Sequence, residues 1–284
     1  MQIPKIALSA AVIGALSTGA AYAQDAAPDA AAAAADPYFY VFNTLLFFLG
    51  GILVMWMAAG FCMLEAGLVR SKNVSMQCLK NISLYSTGVL VYWLVGYNLM
   101  YSGVDGGWFG QIAPMTFPAP SADTGDYSLA TDFFYQSMFC APAASIVSGT
   151  VAERIRLWPF LLFVVILCGA IYPVTGAWQW GGGWLSEIGF SDFAGSTLVH
   201  SVGGWAALTG ALIIGARKGR YGADGRVVAM PGSSIPLATL GAFILWFGWF
   251  GFNGASQLAL GTLEDAASVG LSLIHISEPT RPER

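Results

Sequence analysis

The stretch Asp192-Phe-Ala-Gly-Ser-Thr-Leu-Val-His200-Ser-Val-Gly-Gly-Trp-Ala-Ala-Leu-Thr-Gly-Ala-Leu-Ile-Ile-Gly-Ala-Arg217 decides the fold class. Between its charged ends, residues 193–216 contain no Asp, Glu, Lys or Arg. Coiled as a helix rising about 1.5 Å per residue, such a run covers a hydrocarbon layer of ~30 Å. It has to be a helix, because lipid offers an open-ended segment no other way to pair its backbone groups. Working outward, further mostly apolar runs lie near 39–66, 83–103, 130–151, 157–178 and 235–256, which with 195–216 makes six. Composition agrees. Charged residues make up 10% of the 284 and hydrophobic ones 56%, against roughly 25% charged in a soluble domain. An ordinary soluble enzyme and a disordered chain are both excluded, and the expected fold class is all-α integral membrane.

Charges between the runs set the orientation. Arg70, Lys72 and Lys80 lie between the first and second, Arg154 and Arg156 between the third and fourth, and Arg217, Lys218, Arg220 and Arg226 between the fifth and sixth. The alternate loops hold acids and no Lys or Arg: Asp105, Asp123 and Asp126 in one, Glu187 in the other. Positive loops stay inside, so the chain is expected to cross six times with its N-terminus outside. Clustering in short loops also leaves no basic face for phosphates, so no nucleic-acid partner is expected. The four cysteines have no CxxC spacing and read as packing thiols, with no metal site.

The ends read differently. Lys5, an apolar stretch from Ile6 to about Leu16 and the A-x-A site Ala21-Tyr22-Ala23 make residues 1–23 a secretory signal, with an uncleaved first helix as the alternative. Residues 24–37 are Ala-, Asp- and Pro-rich, a flexible periplasmic leader. The last residues, 271–284, read Leu-Ser-Leu-Ile-His-Ile-Ser-Glu-Pro-Thr-Arg-Pro-Glu-Arg. They resemble translated sequencing-adapter read-through, so a non-native tail is expected, on a natural chain that continues beyond about residue 270.

An ionisable group at membrane depth is costly and usually functional. His200 is such a group. At helical spacing it shares a face with Gly203, Gly204 and Ala207. Those small residues either admit a neighbouring helix or leave room for a lumen, so His200 is either a bonded packing residue or a pore or proton-relay histidine. Asp192 can cap the helix it opens and can also shape a cation site at the outer surface. Glu65 and Glu153, the latter beside Arg154, read as local ion pairs or caps. Trp180, before Gly181-Gly182-Gly183, is an interfacial anchor or a cation–π platform. Phe139 and Phe252 read as lipid-facing or core residues, and Ser256 lies near the outer end of its run. No nucleotide-binding, nucleophile-elbow or metalloprotease motif is present, so neither an enzyme nor a cofactor is expected.

These segments together resemble the ammonium transporter (Amt/Mep/Rh) family. Asp192 to Arg217 carries its signature. Glu65-Ala-Gly-Leu-Val-Arg-Ser-Lys-Asn73, Ala152-Glu-Arg-Ile-Arg156, Trp180-Gly-Gly-Gly183 and Trp249-Phe-Gly-Phe-Asn253 follow the family's order and spacing. The resemblance implies an eleven-helix inverted-repeat transporter fold, of which residues 38–260 hold the first six helices. It implies that Trp180 and Ser256 hold an ammonium ion in an outer vestibule that Asp192 supports. Phe139 and Phe252 are then the paired rings of a pore gate, and His200 is the first of two pore histidines, the second belonging to a later span. Implied partners are ammonium or ammonia, membrane lipid, two further copies in a homotrimer and a PII-type signal protein at the cytoplasmic face. The implied location is a bacterial inner membrane, crossed repeatedly, and the implied function is ammonium uptake by recruitment, deprotonation and passage through an apolar pore. A membrane ammonium sensor, or an inactive piece of a transporter, is the alternative.

Overall fold

The first long apolar run becomes one helix, α1 (Pro37–Leu68), in a computed structural model that describes residues 37–119, 123 and 125–277. Its apolar residues go all the way round. Phe47, Val54 and Met57 are buried, while Phe48, Ile52, Met55 and Trp56 are about half exposed. A helix apolar on every face has lipid or protein around it, not water. The next helix, α2, spans residues 74–101: Val74–Val91, a π turn at Tyr92–Gly96, then Tyr97–Tyr101. It is followed by α3 (Leu129–Thr150), α4 (Leu157–Ala177), α5 (Ser196–Ile214), α6 (Ile235–Gln257) and α7 (Leu263–Ser277). No strand forms among the described residues.

Four of these helices, α1, α4, α5 and α6, are long and apolar enough to cross a membrane. The hydropathy of the sequence predicts six, adding those that became α2 and α3. Those two fall short because their buried faces are polar. Buried residues make up 14 of the 22 in α3, including Asp132, Gln136, Ser145 and Ser148, and α2 buries Gln77, Lys80 and Asn81. A helix wrapped by its neighbours can keep polar groups inside the bundle.

The closest helix pairing is α1 against α6, and glycines on both sides permit it. A Cβ on Gly60 would stand 2.9 Å from the Leu245 backbone nitrogen, one on Gly241 would strike the Leu64 nitrogen, and one on Gly248 would lie 2.7 Å from the Leu53 carbonyl oxygen. Between helices in lipid, such close approach is the chief source of attraction.

At one end of the bundle the three Lys- and Arg-bearing loops meet on a single carboxylate. Glu153 Oε1 is 3.0 Å from Arg70 Nε, and its Oε2 is 3.1 Å from Arg217 Nη1. Asn73 also donates to Oε1. Glu153 therefore pairs with two distant arginines, not with adjacent Arg154, which donates to the Gly215 carbonyl at 2.6 Å. Among the described residues Glu65 makes no ion pair; it accepts hydrogen bonds from Asn81 at 2.7 Å, Ser148 at 2.8 Å and Gln77. The acidic loops gather at the other end. Gly106 N donates to the Gly182 carbonyl at 3.0 Å and Trp184 N to that of Gly107 at 3.2 Å.

After α6 comes α7, which runs from Leu263 to Ser277 and so takes in the first seven residues of the segment expected to be a non-native tail. A reciprocal cap starts it: Thr262 Oγ1 accepts from Asp265 N at 3.0 Å, and Asp265 Oδ2 accepts from Thr262 N at 3.0 Å. At 15 residues it is too short to cross a bilayer. The signal segment 1–23, nearly all of the leader 24–37 and residues 278–284 of the tail lie outside the described residues. All four cysteines are free.

Candidate functional site

On α3, residues 132, 135, 136 and 139 recur at helical spacing, which sets Asp132, Tyr135, Gln136 and Phe139 on one face. The Phe139 ring lies against that of Phe252 from α6, with centroids 4.3 Å apart and planes 31° off parallel. Each residue is 1% exposed. Tyr135 stacks edge-on to Phe139 at 4.7 Å, and its hydroxyl is 3.3 Å from Ser256 Oγ. Ser256, one turn beyond Phe252, donates to the Phe252 carbonyl at 2.7 Å.

Trp180 reaches the same place from the loop after α4. Its ring stands edge-on to Phe139 at 6.2 Å, and its Nε1 donates to the Asp192 carbonyl at 2.8 Å. The Asp192 side chain faces the other way, into the start of α5. Its Oδ1 accepts from Gly195 N (2.9 Å) and Ser196 N (3.1 Å), and its Oδ2 from Thr197 N (2.8 Å) and Leu198 N (2.8 Å). Four otherwise orphaned N–H groups are thereby satisfied. Gly195 sits at φ +96°, a backbone state that suits only glycine, and a Cβ there would stand 2.9 Å from Trp180 Cη2.

This cap opens into a π turn over Ser196–Ser201, in which His200 N donates five residues back to the Gly195 carbonyl at 2.9 Å. Single π turns recur at functional positions. Here the turn carries the imidazole to the underside of the phenylalanine pair. The His200 ring is 5.2 Å from Phe252, edge-on, and lies over Trp249 at 4.8 Å. Its Nδ1 is 3.4 Å from the Gly195 oxygen. That oxygen can only accept, so a bond there places the proton on Nδ1 and leaves Nε2 a lone pair. Gly203, but not Gly204, packs on α3: a Cβ on Gly203 would lie 2.8 Å from the Ala143 oxygen, whereas one on Gly204 meets nothing.

Above the phenylalanine pair lies a cavity of about 230 Å³, walled by Trp180, Ser256, Asp192, Phe139, Asp132 and Tyr97 among others, and reaching neither Phe252 nor His200. It has room for a small cation with several waters, each of which occupies about 30 Å³ in the liquid. Aromatic faces and hydroxyl oxygens are groups that hold an ammonium-type ion. All six residues singled out from the sequence thus fall on one chain of contacts: Asp192 to Trp180, Trp180 to Phe139, Phe139 to Phe252, Phe252 to Ser256 and to His200. Three further members escaped the sequence reading: Tyr135, Trp249 and Asp132. The i, i+3, i+7 spacing from Asp132 to Phe139 was the available signal for two of them. Among the described residues no group of His, Cys, Asp and Glu could hold a metal ion.

Comparison with known proteins places the chain. The profile of the Ammonium Transporter Family matches residues 45–274. Ammonium transporter Amt2 of Archaeoglobus fulgidus is 43% identical over 219 residues, covering 74% of this chain and 46% of that protein. Among solved structures, one titled Sensor Amt Protein superposes with a TM-score of 0.75 at 36% identity, covering 82% of this chain and 57% of the other. Mep2 of Candida albicans does so with a TM-score of 0.67 at 27% identity, over 80% and 50%. The chain spans about half the length of the curated relatives it matches.

Proposed function

Because the chain belongs to the ammonium transporter family, we propose that it builds part of a pore for ammonium uptake across a bacterial inner membrane. The observation that carries this reading is the vertical order of the site: a cation-sized aromatic cavity, then two phenylalanine rings in contact, then an imidazole. Ammonium settles against the Trp180 face and the Ser256 hydroxyl. Beyond Phe139 and Phe252 an ion would lose its hydration, at a cost of several kcal/mol or more. Ammonium escapes that cost by giving up a proton and passing as ammonia, which potassium, similar in size, cannot do. His200 accepts and donates protons near neutral pH and relays the one released. Asp192 acts through shape, since its oxygens are engaged by backbone N–H groups and its carbonyl holds Trp180.

In this reading all six helices α1 to α6 cross the membrane, with Glu153 and its arginines inside and the cavity outside. The two polar-faced helices, α2 and α3, run inside the bundle. Residues 1–23 are removed as a secretory signal, leaving 24–37 in the periplasm. The whole protein has the eleven-helix inverted-repeat fold, works as a homotrimer and meets a PII-type signal protein at its cytoplasmic face. Similarity to the solved Sensor Amt Protein favours a second reading, in which the same cavity reports ammonium to a signalling partner.

Membrane currents in the protein expressed from its uninterrupted gene test the first reading. Ammonium pulses should drive current, potassium pulses none, and His200→Ala should cut the ammonium response at least tenfold. Equal currents from potassium would overturn it, and a protein that binds ammonium without moving it would point to the sensor.

A further inference from the structure

Asp132 stands seven residues before Phe139 on the same face of α3, about 10 Å further out at 1.5 Å per residue. It is 5% exposed, yet it lines the outer cavity together with Tyr97, Tyr101 and Tyr127. Among the described residues its carboxylate has two hydrogen bonds: the Tyr97 hydroxyl donates to Oδ2, and Gln136 Nε2 donates to Oδ1 at 3.3 Å. A carboxylate has about four acceptor positions, so half of them are unused. Among the described residues no ion pair reaches it, and the sequence holds no Lys or Arg from 81 to 153 or from 157 to 216. Nor is it spent on capping. Its side chain is bonded to Tyr97 and Gln136, in contrast to Asp192, whose oxygens are filled by backbone groups. A buried, unbalanced carboxylate is costly unless a positive partner arrives.

That partner has a chemistry written in the walls. A carboxylate with three tyrosine rings around the same space matches a small cation bearing N–H donors, held by charge on one side and by π faces on the others. Among the described residues the Tyr101 hydroxyl is buried without a hydrogen-bond partner, and it adds an acceptor. We propose that Asp132 with Tyr97, Tyr101 and Tyr127 forms a second, outer cation site for ammonium and small alkylammonium ions, which hands them down to Trp180 and Ser256. The acidic outer loops, with Asp105, Asp123 and Asp126, raise the local concentration of cations at its mouth. The site deepens the reading given under the proposed function and rests on it for the identity of the cargo.

Equilibrium binding of radiolabelled methylammonium to the purified full-length protein at neutral pH tests it, with uptake into liposomes measured in parallel. Asp132→Asn keeps acceptor and donor groups for Tyr97 and Gln136 but drops the charge. It should weaken binding at least fivefold and raise the half-saturating concentration for uptake by a similar factor, with the maximal rate kept. Asp132→Glu should restore binding. If Asp132 only braces α3, Asn binds as tightly as the unsubstituted protein, and that result overturns the proposal while leaving the transporter reading intact. Weakened binding in Asp132→Asn with no uptake by any form would support the site and overturn the transporter reading. No binding by the unsubstituted protein would overturn both.

Discussion

Asp132 and Asp192 line the same cavity, yet their oxygens touch different groups. Asp192 is saturated by four backbone N–H groups, so its charge is consumed in holding the start of α5 and, through its carbonyl, Trp180. In Asp192→Asn the amide would offer its own N–H₂ to two of those N–H groups, leaving them unpaired. Each such orphan costs about 1–3 kcal/mol. The expected outcome is a clear fall in thermal stability together with a shift in tryptophan fluorescence as Trp180 loses its anchor. Unchanged melting and emission would show that the cap is dispensable. At this scale the sequence was only partly legible. An Asp before Phe-Ala-Gly-Ser reads as a cap, and the cap is there. Tyr135 had only its helical spacing from Asp132 and Phe139 to mark it, and Trp249 had nothing, because 14% of the chain is aromatic and one more ring on an apolar run carries no signal. The significance of both arises from contacts between α3, α5 and α6.

Among the elements, the helices carry the weight and the Lys- and Arg-bearing loops lock them. Glu153 ties the loops after α1, α3 and α5 to one another through Arg70 and Arg217. Burial works against its charge, but hydrogen bonds from Asn73 and Arg70 and the nearby Arg217 prevail, holding its carboxyl below the ordinary value of 4.5. A carboxyl lowered by folding adds stability that is present above the unfolded value and lost as pH falls through the folded one. The unsubstituted protein should therefore melt higher than Glu153→Gln at pH 7, and the gap should close as pH drops below about 4.5. A constant gap across that range would assign the effect to packing. The residue type was visible in the sequence; its partners, more than sixty residues away in one case and more than eighty in the other, were not. Nor does hydrophobicity show which side of α1 is buried, since Phe47 and Phe48 differ only in direction. The glycines facing α6 mark that side.

For the whole molecule, charge placement was the most readable feature. Loops rich in Lys and Arg meet at one end of the bundle and acidic loops at the other, as alternate crossing demands. Cysteine labelling with a membrane-impermeant reagent tests this directly. In intact spheroplasts, Asp105→Cys should react and Lys218→Cys should not until the membrane is permeabilised. The reverse pattern would invert the topology and put the cavity on the wrong side. Hydropathy read less well than charge, since α2 and α3 turn polar residues inward and so dilute the signal that length alone would give. The start of α7 is coded locally, in the reciprocal cap of Thr262 and Asp265.

The two phenylalanines below the cavity belong to separate helices, and each ring hangs on only two rotatable bonds. In the proposed transporter, swinging one aside is a rotation about those bonds, made against the neighbouring rings of Tyr135, Trp180, Trp249 and His200. A covalent tether between α3 and α6 should then leave ammonium currents unchanged.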